Sequence, residues 1–291
     1  MKDSFSGYHP LTNFIYFFTV IFITVFSMHP AVLCVSCLGA FVYSAVLSGV
    51  LKTVKNTLCF ALPVALLTAV INPLFNHYGV TVLFFLPSGN PVTLESTMFG
   101  LSAGLMMAAA VLWFICLSRV FTSDKYICLI GRVAPHVALL ISMILRFIPM
   151  FDRRRKKIKN ARQCIGRGKH DGIGNFSILT TWALENNSVV ADSMLSRGYG
   201  TGRRTFFSVY AIKKRDVVAY LYMAVTAGFF VGGLWDGMFK AAYDPVINIS
   251  FDMSAIPGLL CFLFFCLYPV LVAVYGKVRR YMSLRTSSDI E

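Results

Sequence analysis

Charge is what this chain is short of, and the shortage is lopsided. Asp and Glu number 13 against 27 Lys and Arg, and the four types together are 14% of the 291 residues. Soluble domains carry about 25%, so a water-facing surface along the whole chain is excluded. The 57% hydrophobic content points instead to several membrane spans in one polytopic domain.

Catalytic signatures are also missing. No Gly-x-x-x-x-Gly-Lys-Ser/Thr occurs, and Gly166-Arg167-Gly168-Lys169-His170 lacks both the spacing and the hydroxyl. Without a P-loop the chain is not expected to hydrolyse ATP. His-Glu-x-x-His is absent, and the five histidines (His9, His29, His77, His136, His170) are scattered. Paired acids of the kind proton-coupled carriers use do not appear within the apolar runs. Of eight cysteines only Cys34 and Cys37 have Cys-x-x-Cys spacing, with no second pair and no neighbouring ligand. The others lie mostly in apolar runs, where a thiol behaves as a small hydrophobe. No metal, cofactor or catalytic residue is expected.

What the chain does have is long apolar stretches. Six reach the length of about 17–25 residues that a bilayer requires: 11–28, 31–51, 56–75, 98–118, 217–235 and 255–276. The first follows Lys2 without a small-residue cleavage site and reads as a retained signal anchor. Pro30 makes the turn after it, because proline cannot continue the incoming helix. A seventh stretch, 126–150, contains Arg132, Pro135, His136, Arg146 and Pro149 and has basic residues on both flanks. A single crossing would put one basic flank outside. It is therefore expected to be a helix at the cytoplasmic boundary, or re-entrant.

With the N-terminus inside, six spans return the C-terminus to the cytoplasm. Loop 76–97 then lies outside with no Lys or Arg, and Lys240 is the single basic residue left external. The acids Glu95, Asp236, Asp244 and Asp252 show no such sorting, as expected when Lys and Arg set orientation. The net charge of +14 is thus partly a topology signal and does not require nucleic acid. The expected organisation is four spans in 1–125, cytoplasmic or boundary helices in 126–216, and two spans plus a basic tail in 217–291.

Residues 151–216 are the one long polar region. From Asp152 to Lys169 the chain places nine basic residues, from Arg153 to Lys169, against one acid. Next to a membrane span such a cluster is usually a lipid-headgroup contact, at about 1 kcal/mol per basic residue. The following stretch, 175–197, has helical periodicity. Ile178, Trp182 and Val189 form one stripe with Leu179, Ala183, Val190 and Met194 beside it, Asn175 is the expected N-cap and Gly198 the stop.

Two arginine–glycine tripeptides punctuate this region, Gly166-Arg167-Gly168 and Ser196-Arg197-Gly198. Each arginine is expected in the last turn of a helix, before a glycine that ends it. The simple reading is structural, since Arg complements the helix dipole and Gly supplies a left-handed residue. The functional reading is a pair of planar, permanently charged forks that bond carboxylates on a partner. The two are compatible.

Four segments then carry a family resemblance. They are Asn72-Pro73-Leu74-Phe75-Asn76-His77-Tyr78-Gly79, Pro91-Val92-Thr93-Leu94-Glu95, Leu145-Arg146-Phe147-Ile148-Pro149, and the run from Ala191 through Ser196-Arg197-Gly198-Tyr199-Gly200. Together they resemble the transmembrane T component of energy-coupling factor (ECF) importers, the EcfT/CbiQ-like family. The first tripeptide departs from the family's Ala-Arg-Gly by Gly166, the second by Ser196. The resemblance implies an all-α membrane protein of about six transmembrane helices with cytoplasmic coupling helices, in a bacterial plasma membrane. It implies a non-catalytic subunit linking two ABC-type ATPases to a substrate-binding S component for uptake of a vitamin or metal ion. Gly166, Arg167, Gly168, Ser196, Arg197 and Gly198 would then contact the ATPases, and Arg146 the S component. The S component, a separate chain, would choose the substrate. The competing expectation is a stand-alone carrier or channel whose basic insert binds lipid.

Overall fold

The computed structural model describes residues 4–77, 79–85, 91–166, 172–199, 201–202, 210–239, 241–243, 247–249 and 255–288. Among them lie nine helices: α1 (Pro10–Phe26), α2 (Pro30–Ser48), α3 (Val50–Phe75), α4 (Leu94–Val120), α5 (Ser123–Val133), α6 (Pro135–Cys164), α7 (Gly172–Ser196), α8 (Lys214–Trp235) and α9 (Ala255–Ser288). Two short antiparallel hairpins, Val82–Phe85 with Pro91–Thr93 and Ala241–Ala242 with Asn248–Ile249, sit between helices. The chain is an all-α polytopic membrane protein. Helices α2, α3, α4, α6, α8 and α9 are long and apolar enough to cross a bilayer, while α1 has 17 residues. Length and hydropathy therefore admit α6, which the sequence reading keeps at the boundary, and leave α1 at the short end of the range.

Contacts divide the chain into two units, Met1–Thr122 with Ala211–Glu291, and Ser123–Tyr210. The first is a bundle of α1–α4, α8 and α9. Its core is aromatic: Phe5, Tyr16, Phe17, Tyr43, Trp113, Phe230, Phe262 and Phe265 are almost fully buried. Several polar groups inside it are paired, as hydrocarbon favours. Trp113 Nε1 donates to Ser36 Oγ at 2.9 Å, and Ser36 shares a 2.6 Å bond with Thr24. Pro269 in α9 has no N–H for the carbonyl of Phe265, four residues earlier. The Tyr16 hydroxyl donates to that carbonyl at 3.2 Å.

Helices α3 and α4 approach most closely where small residues face each other. A Cβ on Gly104 would lie 2.6 Å from the Ala65 carbonyl oxygen, and one on Gly100 2.9 Å from that of Ala69. Gly-x-x-x-Gly against Ala-x-x-x-Ala brings backbones together without side chains between them. The pairing of 100 with 69 and 104 with 65 makes the two helices antiparallel. At Thr57–Ala61 helix α3 widens into a π turn just before Pro63, where a backbone donor is missing.

The two ends of the bundle differ. At one, Asp216 caps α8 by accepting from the backbone N–H of Lys213 at 2.8 Å and also accepts from that of His9 at 3.0 Å. Arg215 lies 4.9 Å over the Tyr8 ring, and Phe121 packs on Phe14. Lys52, Lys55, Arg119, Lys213, Lys214, Arg215, Lys277 and Arg279 are exposed at this end or on the helix turns nearest it. At the other end Tyr243 bonds Ser102 and donates to the Met28 carbonyl, and Glu95 accepts from Thr81 Oγ1 at 2.6 Å. No described Lys or Arg lies there; Lys240 is outside the described residues.

Candidate functional site

The second unit is built from α5, α6 and α7. The sequence reading has one helix over 126–150; two helices stand there instead. Ala134 breaks the helix, at φ −137° and ψ 84°, because Pro135 disfavours a helical predecessor and starts α6 as an N1-type residue. Helix α6 then continues through Pro149 to Cys164, so the boundary stretch and the basic run Arg153–Lys159 share one helix. Asp152, the single acid of that run, is bonded by Arg155 and Lys156, each at 2.8 Å.

Helices α6 and α7 form an antiparallel hairpin. Phe151 meets Trp182 edge-on at 5.8 Å between ring centroids, the Arg154 guanidinium lies 5.0 Å over the same indole, and Arg162 donates to Asn175 Oδ1 at 3.1 Å. Asn175 is therefore not the N-cap, since α7 starts at Gly172 and Asn175 braces the hairpin. The half-buried face of α7 is Asn175, Leu179, Trp182, Ala183, Asn186, Val190 and Met194. Ile178 and Val189, read from periodicity as part of the same face, are 45% and 64% exposed. An apolar arc wider than one partner helix covers leaves its flank in the open. Beyond the hairpin, burial raises the Tyr210 hydroxyl above its ordinary range, and Asp124 and Cys128 add to the shift.

The helix ends carry the predicted site residues. At the end of α7, Gly198 N donates to Leu195 O at 2.9 Å and Tyr199 N to Met194 O at 3.0 Å. With φ +80° at Gly198 this is a complete Schellman motif. Ser196 Oγ donates back to Ser193 O at 3.0 Å, and Arg197 is the exposed C-cap residue immediately before the left-handed glycine. At the end of α6 the equivalent residue is Gly166, with φ +76° and its N–H donating to Gln163 O at 3.1 Å. So Gly166, not Gly168, ends the first helix, and the two tripeptides are offset by two residues in the helix-end frame. Ile165 occupies the place of Arg197, and Arg167 follows the stop. Arg167 and Gly168 lie outside the described residues, and Arg146 is exposed on α6.

The hairpin separates these two ends. Gly166 is at its tip and Gly198 at the far end of α7, whose 25 residues span roughly 37 Å at 1.5 Å per residue. Arg197 therefore lies a full helix length from the stop at Gly166.

One further motif, Gly100-Leu101-Ser102-Ala103-Gly104, has the Gly-x-Ser-x-Gly spacing of a hydrolase nucleophile elbow. That role needs a strand–turn–helix setting. Here all five residues lie inside α4, both glycines serve the α3 contact, and Ser102 bonds Tyr243 at 2.8 Å. Among the described residues no group of three His, Cys, Asp or Glu is placed to hold a metal ion. Comparison with protein-family models and with curated proteins finds no match for this chain.

Proposed function

We propose that this protein is the T component of an ECF-type importer. It couples two cytosolic ATPases to a membrane-embedded S component, and does no chemistry itself. The observation that carries this reading is the exposed Arg197 fixed at a helix end by a Schellman motif. A rigid helix terminus delivers a guanidinium to a partner carboxylate with little loss of conformational freedom.

Three further points support it. The described basic residues of the bundle share one end, which the positive-inside rule makes cytoplasmic. The α6–α7 rod holds Gly166, the residue before Arg167 in sequence, far from Arg197, which suits one contact on each of two ATPases. Arg146 is open on α6 for the S component. On this reading α1 crosses the membrane and the apolar half of α6 lies along the cytoplasmic boundary. Movement of the ATPase pair on ATP binding then shifts the rod, and the S component reorients to release its substrate.

The test is the Arg167→Ala/Arg197→Ala double variant, assayed for membrane insertion, co-purification with both ATPases, and uptake. Removing one side of a charge-assisted interface pair costs about 2–5 kcal/mol, so assembly and uptake should collapse while insertion stays normal. Uptake at the wild-type rate would refute the assignment. Solute movement by the purified chain alone in liposomes would establish the carrier reading instead.

A further inference from the structure

The bundle carries a groove between α3 and α4 that the coupling role does not use. It has a volume of about 370 Å³ and is lined by Asn56, Phe60, Val111, Phe114, Ile115 and Ser118. The π turn at Thr57–Ala61 lies on its α3 side and includes Phe60, 60% exposed, while Phe114 on α4 is 55% exposed.

The lining is ordered along the membrane normal. Because α3 and α4 are antiparallel, Asn56 and Ser118 lie toward the basic end, while Phe60, Phe114 and Val111 lie deeper. From Ser118 to Val111 is seven residues, roughly 10 Å. Beyond the polar pair comes charge. Lys52 is one helical turn below Asn56 and Arg119 one turn below Ile115, spacings that make side chains neighbours on a helix face. Lys55 adjoins Asn56, and all three cations are exposed. The sequence of environments is thus cationic, then hydrogen-bonding, then apolar, over the reach of one phospholipid.

We propose that this groove is a binding site for a single anionic phospholipid. One acyl chain lies against Phe60, Phe114 and Val111, the glycerol ester region meets Asn56 and Ser118, and the phosphate sits among Lys52, Lys55 and Arg119. The site stands whether or not the coupling role is right.

Native mass spectrometry of the full chain, delipidated and titrated with phosphatidylglycerol or phosphatidylcholine of the same acyl length, reads the site directly. Wild type should retain one phosphatidylglycerol with a preference of about tenfold to a hundredfold, the range expected if one to three cations, at about 1 kcal/mol each, reach the anionic headgroup. Lys52→Gln/Lys55→Gln/Arg119→Gln should bring that preference close to unity. Val111→Trp, which fills the apolar slot, should lower retention of both lipids, and circular dichroism serves as the folding control for each variant. Equal retention of both lipids by wild type would overturn the proposal. So would a preference undiminished in the triple variant, or retention undiminished in a folded Val111→Trp.

Discussion

The bundle and the α6–α7 hairpin solve the burial problem in opposite ways. The bundle hides whole aromatic side chains, Trp113 and Tyr16 among them, and pairs interior polar groups such as Trp113 Nε1 and the Tyr16 hydroxyl. The hairpin has no fully buried residue on α7 and is held by half-buried contacts at Trp182 and Asn175. The difference teaches where rigidity and adaptability lie. Packed backbones with no intervening side chains resist displacement, whereas an open rod of exposed Ile178, Leu184, Val189 and Leu195 keeps surface for partners.

The comparison breaks most visibly at the α3–α4 contact. Gly104→Leu inserts a side chain where even a Cβ would lie 2.6 Å from the Ala65 carbonyl oxygen. It should destabilise the bundle by about 3 kcal/mol, seen as a lower midpoint in detergent-mediated unfolding. An unchanged midpoint would show that the helices part easily and that the bundle is no stiffer than the hairpin.

Trp182→Ala probes the other side. It removes the edge-on contact with Phe151 and the ring under Arg154, a loss of about 1–2 kcal/mol for a half-buried aromatic. Amide exchange should quicken along α6 and α7 while the bundle keeps its protection. Faster exchange in both units together would mean that the two unfold as one.

A smaller effect is expected from Gly198→Ala, which forces a side chain into a left-handed residue at a cost of about 1 kcal/mol. Exchange at the end of α7 should rise locally, and the geometry of Arg197 with it. The matched change Gly166→Ala should fray the end of α6 equally. If Gly168→Ala frayed it instead, the helix-end register described here would be wrong.

The gentlest test is Tyr16→Phe. Losing the hydroxyl leaves the Phe265 carbonyl, freed by Pro269, without that donor. Interior hydrogen bonds in membrane bundles contribute about 0.6 kcal/mol on average, so the unfolding midpoint should fall only slightly. A drop as large as that of Gly104→Leu would place the bundle's stability in polar bonds rather than in close packing.

Sequence alone determined that the chain is helical, that it is apolar enough for several spans, and that the described Lys and Arg of the bundle gather at one of its ends. Run length and charge sorting are one-dimensional properties, and bilayer physics acts on them directly. The stop at Gly198 was legible for the same reason, since a left-handed residue is a local demand. Tertiary structure alone decided which arc of α7 meets α6, that Asn175 braces a hairpin rather than caps a helix, and that Pro135 divides 126–150. It also settled that Gly166 ends α6 and that Gly100 and Gly104 are packing surfaces. Each of these depends on which partner lies opposite a residue, and periodicity fixes a face without naming what covers it.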